Sequence, residues 1–139
     1  MKMIKYWFIA CVCSFAALFM HPSHLSAQDH TLSWADNGKA ILVRLKDTIT
    51  INLRGNATTG YIWDVVNPIP SKVQLVERAY APYRTLVAGG GGVYTFKFLV
   101  VSTGSCELIF THGRPWEKKI PPMETFRVVI EDDGIMHHC

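Results

Sequence analysis

The sequence predicts an all-β domain, an immunoglobulin-like β-sandwich of seven or eight strands. Three observations predict it. Apolar and polar residues alternate at period two over several short segments, the pattern of a strand with one face buried. Pro68, Pro70, Pro82, Pro121 and Pro122 fall between those segments, where a missing N–H costs little. No stretch after residue 27 carries convincing helical spacing. Seven or eight short strands in about 110 residues suit a sandwich, with a barrel as the competing architecture.

The chain has 139 residues, enough for one domain. Residues 1–27 stand apart from it. Lys2 and Lys5 open the segment, Tyr6 to Met20 carry no charge, and His21 to Ala27 are polar and end on a small residue. That order reads as a secretory signal peptide, with cleavage after Ala27 although Leu25 is large for its place. The apolar run of fifteen residues is short for a membrane span, which needs roughly 20. Retention as a membrane anchor is the alternative. Cys11 weakly resembles a lipid-attachment site, but the apolar stretch before it is too short. The mature domain is then 28–139, its last seven or so residues a loose tail, secreted or periplasmic and without a membrane partner.

The strands follow in order. Weak patterns cover Leu32–Trp34 and Ile41–Arg44. Thr48 to Leu53 alternates cleanly, and Tyr61–Val66 and Val73–Ala79 are weaker again. Tyr94, Phe96, Phe98 and Val100 alternate with polar or smaller neighbours; Leu108 and Phe110 share one face; Phe126, Val128 and Ile130 alternate with Arg127 and Glu131.

Composition excludes several functions. Loss of Lys2 and Lys5 leaves 12 basic residues against 11 acidic, a net charge of +1. That is no nucleic-acid signature. Cys106 and Cys139 are the only cysteines left, so one disulfide is permitted in an oxidising compartment. The alternative is a buried thiol at Cys106 and a loose one at Cys139. Cys106 shares a strand face with Leu108 and Phe110, which favours an inert thiol over a nucleophile. No CxxC, HExxH or GxSxG occurs in 28–139. His137-His138-Cys139 lies on the tail with no element to aim it, so no metal or cofactor is expected. The chain does not read as an enzyme.

Three loops stand out: Asn56-Ala57-Thr58-Thr59-Gly60 before Tyr61, the run Gly89-Gly90-Gly91-Gly92, and His112-Gly113-Arg114-Pro115-Trp116. Each alone has a plain structural reading: a hairpin turn, a flexible tip, a cap on the core. His112 reads as an ordinary loop histidine, or as one that tunes binding with pH. Together the loops resemble the NPTTG[YF], GxGG and RPW motifs of the chagasin-type inhibitors of papain-like cysteine proteases. The resemblance runs from about Thr31 to about Glu131.

That family has an immunoglobulin-like sandwich, which agrees with the strand pattern. The resemblance implies a reversible inhibitor whose three loops wedge into the protease cleft. It places Thr58 nearest the catalytic cysteine, with the small residues Asn56 to Gly60 at the centre, Trp116 as a flat anchor held by Pro115, and Gly89 to Gly92 laying main chain along the opposite wall. Tyr61 supports the loop base and Trp63 enters the core. Arg114 either pairs with a carboxylate or packs beneath the indole. The chain departs from the family pattern at Ala57, where Pro is usual; the expected cost in affinity is about 1 kcal/mol or less. Asn56-Ala57-Thr58 is also an N-glycosylation acceptor, and a glycan there would cover the loop. The expected partner is a papain-like cysteine protease, bound by a monomer. The competing class is an immunoglobulin-like adhesion or assembly module without inhibitory activity.

Overall fold

The computed structural model describes residues 26–84 and 89–132. The apolar leader with Cys11, Ala88, and the tail with His137, His138 and Cys139 lie outside the described residues. So do the expected signal peptide, apart from Ser26 and Ala27, and the far half of the possible Cys106–Cys139 bridge.

The described residues form eight strands: β1 (Asp29–Leu32), β2 (Ala40–Val43), β3 (Thr48–Gly55), β4 (Ile62–Val65), β5 (Val73–Pro82), β6 (Gly92–Val100), β7 (Cys106–Gly113) and β8 (Glu124–Asp132). They pair into two four-stranded sheets, ordered β1-β3-β6-β5 and β2-β8-β7-β4. The β1–β3 and β2–β8 pairs are parallel; the rest are antiparallel. The sandwich predicted from alternation is therefore the observed one.

Period two explains the core. Ile49, Ile51 and Leu53 of β3 and Tyr94, Phe96, Phe98 and Val100 of β6 point inward from one sheet. Leu108 and Phe110 of β7 and Phe126, Val128 and Ile130 of β8 meet them from the other. Phe110 joins the sheets, with ring centroids 5.0 Å from Phe96 and 6.0 Å from Phe126, within the range of favourable edge and tilted contacts.

Three expectations are corrected. The strand expected over Leu32–Trp34 ends at Leu32, and Trp34–Asp36 forms a 3-10 turn. Asp36 stops the strand, because its carboxylate accepts the Ser33 N–H at 2.9 Å and offers the backbone a turn in place of the ladder. His112 is not a loop residue. It lies in β7 and is 7% exposed, since the alternation through Leu108 and Phe110 carries one step further. Strand β5 also runs past Ala79 to Pro82. It is a sheet edge, so the missing N–H of Pro82 breaks no ladder.

The register places the loops. Gly55 and Pro82 both pair with Gly92 at one end of the first sheet. Ile62 pairs with Gly113, and His112 with Glu124, in the second. Trp63 Nε1–H donates to Arg54 O at 2.9 Å across the sheets. The connections β3–β4, β5–β6 and β7–β8 consequently emerge side by side.

Candidate functional site

The β3–β4 loop is built by Asn56. Its Oδ1 accepts Thr58 N–H at 3.1 Å and the Thr58 hydroxyl at 2.6 Å, starting the 3-10 turn Ala57–Thr59 as an N-cap does. The Thr59 hydroxyl donates to Asn56 O at 2.7 Å. Ala57, Thr58 and Thr59 are exposed. Gly60 ends the turn at φ 79°, a left-handed conformation that costs other residues about 1–2 kcal/mol. A Cβ there would also lie 2.6 Å from Trp116 Cη2.

Asn56 binds the second loop too. Its Nδ2–H donates to Gly89 O at 2.6 Å. Gly91 O accepts Tyr83 N–H at 2.9 Å, and Gly92 is buried where a Cβ would meet Pro82 Cα at 2.8 Å. Gly92 is thus required by the close approach of β5, whereas Gly89 and Gly90 are exposed.

The third loop closes on the first from the other side. Arg114 Nε–H donates to Thr59 O at 3.3 Å, and its Nη1 pairs with Glu117 Oε1 at 3.1 Å. Its guanidinium carbon stands 4.4 Å from the Tyr61 ring centroid. The choice left open for Arg114 resolves toward the carboxylate, and the ring it covers is Tyr61. Trp116 is 66% exposed, and its ring edge lies over Gly60.

A layer of rings supports these tips. Trp63 is 1% exposed and stacks on His112 at 4.8 Å with 7° between planes. Tyr61 meets His112 edge-on at 5.8 Å. His112 Nδ1 lies 3.0 Å from Glu124 Oε2, which fixes the ring. Tyr80 and Tyr94 pack at 4.7 Å below the glycine loop. Asn56 as a double latch and His112 as a platform were missed as roles in the sequence. The only available signal was Asn two residues before Thr, and the continued alternation of β7.

The structure therefore brings Asn56, Ala57, Thr58, Thr59, Gly60, Tyr61, Gly89, Gly91, Arg114 and Trp116 into one linked cluster. Pro115 holds the turn beside it, and Gly90 and Gly92 flank it. Burial raises the Cys106 thiol above its ordinary pKa, only partly offset by Lys72, so it is a poor nucleophile. Among the described residues no three His, Cys, Asp or Glu side chains converge on a possible metal position.

The model of the chagasin family of peptidase inhibitors matches residues 43–130. The chain belongs to the chagasin family. Chagasin of Trypanosoma cruzi is 28% identical over 106 residues, covering 73% of this chain and 96% of chagasin. Amoebiasin-1 of Entamoeba histolytica is 31% identical over 88 residues, covering 62% of this chain and 83% of that protein. The crystal structure of a cysteine protease inhibitor from Entamoeba histolytica superposes with a TM-score of 0.70 at 21% identity, covering 76% of this chain and 96% of the other. That likeness supports the fold. As a chagasin-family member the protein is a peptidase inhibitor and not an enzyme.

Proposed function

We propose that the protein inhibits papain-like cysteine proteases by inserting the three linked loops into the active-site cleft, and that it does so as a monomer outside the cytoplasm. One observation carries this reading: the loops form a single wedge, latched by Asn56 Nδ2 to Gly89 O and by Arg114 Nε to Thr59 O. The exposed turn Ala57–Thr59 is its leading edge. It presents small side chains to a cleft whose floor holds a Cys–His pair. Gly60, left-handed and without a side chain, keeps main chain close to the indole of Trp116. The glycines line one wall of the cleft and Trp116 the other. Three tips of this size can cover roughly 800 Å² per partner, the area of an ordinary stable interface. Residues 1–27 direct export, and the described residues contain no helix long and apolar enough to cross a membrane.

Titration of papain-like enzymes with the purified protein tests the reading. One-to-one loss of activity without cleavage of the inhibitor is expected, and a Thr58/Trp116 double substitution should abolish it. Trp116→Ala alone should cost about 2 kcal/mol or more. A change under about threefold removes Trp116 from the anchor role. Absence of inhibition favours the adhesion module.

A further inference from the structure

At the end of β3 opposite the loops, Asp47 is 1% exposed. Its two oxygens have different partners. Oδ2 accepts Arg44 N–H at 2.9 Å and lies 2.9 Å from His30 Nε2. Oδ1 accepts the backbone N–H of Gln28 at 2.8 Å. Gln28 O in turn accepts Thr48 N–H at 2.9 Å, so this residue is pinned from both sides. The turn that aims Asp47 includes Lys46 at φ 72°, a conformation uncommon for a side-chain-bearing residue and held only where its surroundings require it.

The nitrogen that Asp47 binds belongs to the residue following the small-residue end of the leader. Ser26, Ala27 and Gln28 are all exposed, so a processing enzyme can reach the Ala27–Gln28 bond. A peptide N–H there supplies one neutral donor. A free α-amino group supplies three donors and a positive charge, and ionised partners make roughly twice as strong a hydrogen bond. An opposite charge this close to a carboxylate favours its ionised form, and a buried charge left without its partner is costly.

We propose that Asp47 is a binding site for the α-ammonium group of a chain cut between Ala27 and Gln28, so that maturation itself completes a buried ion pair. A leader peptidase hydrolyses the bond. Water gives its hydroxyl to the Ala27 carbonyl carbon and its hydrogen to the Gln28 nitrogen, which takes up a further proton at neutral pH and stays against Oδ1. The capture has a chemical consequence. An amino-terminal glutamine cyclises when its neutral amine attacks its own side-chain carbonyl carbon; the C–Nε2 bond breaks and ammonia leaves. An ammonium held by Asp47 is withheld from that attack.

The test uses the full chain exported by a secreting host. Intact mass should place the amino terminus at Gln28. On incubation at neutral pH, loss of ammonia should be at least about tenfold slower than in the Asp47→Asn protein, the factor expected when about 1.4 kcal/mol holds the amine. A chain with a serine inserted between Ala27 and Gln28, shown by mass to be retained, keeps Asp47 but displaces the charge. Its thermal midpoint should fall by roughly 4–8 °C, and it decides the question if Asp47→Asn does not fold. A terminus elsewhere, equal cyclisation rates in the two folded proteins, or an unchanged midpoint overturns the proposal.

Discussion

Ala57 occupies the first position of the 3-10 turn, directly after Asn56 at φ −126° and ψ 102°. Proline is suited to that place. The residue before it is already extended, and the N–H it would remove makes only a 3.5 Å contact with the Tyr80 hydroxyl. Ala57→Pro should therefore stabilise the protein by about 0.4–1 kcal/mol by restricting the unfolded chain. The inhibition constant should tighten by a few-fold at most. Thermal unfolding and titration against one protease check both; a loss of stability would mean that the turn opens in solution. Gly60→Ala should act in the opposite direction. It adds a side chain at φ 79° and drives a Cβ into the indole of Trp116, a strain of about 1–2 kcal/mol before any contact with a partner is lost. Weaker inhibition together with a changed tryptophan emission is expected, and unchanged inhibition would show that the indole binds equally well elsewhere.

The first strands depend on one carboxylate. Burial pushes the pKa of Asp47 up, but the Gln28 N–H, the His30 side chain and the Arg44 N–H outweigh it and leave the group below its ordinary 3.8. A depressed folded-state pKa contributes stability that is present above the unfolded value and lost as pH falls through the folded one. Unfolding in acid below about pH 4 should thus release β1 first, and Asp47→Asn should flatten the pH dependence in that window. Hydrogen exchange on β1 and β3 amides measures it, and an equally steep acid transition in the variant would exclude Asp47 as the cause. Elements of this kind were only half legible in the sequence. Alternation located β3, β6, β7 and β8, because a half-buried strand writes its period into the residues themselves. The start of β1 was displaced, since its fastening depends on Asp47, far along the chain. The parallel pairings of β1 and β2 leave no local mark either. The three loops were legible from their small residues, Arg114 and Trp116. Their latches were not, because Asn56 to Gly89 and Arg114 to Thr59 are tertiary contacts with no periodicity.

Across the whole molecule, the two sheets contribute different parts of the wedge. The glycine loop belongs to the β5–β6 side, the Arg114–Trp116 loop joins β7 to β8, and the Asn56–Gly60 loop crosses between the sheets from β3 to β4. Any slippage of one sheet over the other would separate the tips. The Trp63 donor to Arg54 O resists it near the loops. So does Arg78 of β5, which reaches over to β4 with Nη1 3.1 Å from Asp64 Oδ1 and Nη2–H donating to Trp63 O at 3.0 Å. The crossing loop is then held by one latch from each side, Asn56 to Gly89 and Arg114 to Thr59. Where one latch suffices to order the loop, the entropy cost of ordering it is deferred to binding only when both are lost. Asn56→Ala and Arg114→Met should each weaken inhibition modestly, and the double variant should lose more than their sum by about 0.5 kcal/mol or more, the usual mark of coupled sites. The four inhibition constants of that cycle decide it. Additivity within about 0.3 kcal/mol would mean that the loops engage the protease as independent tips on a common scaffold.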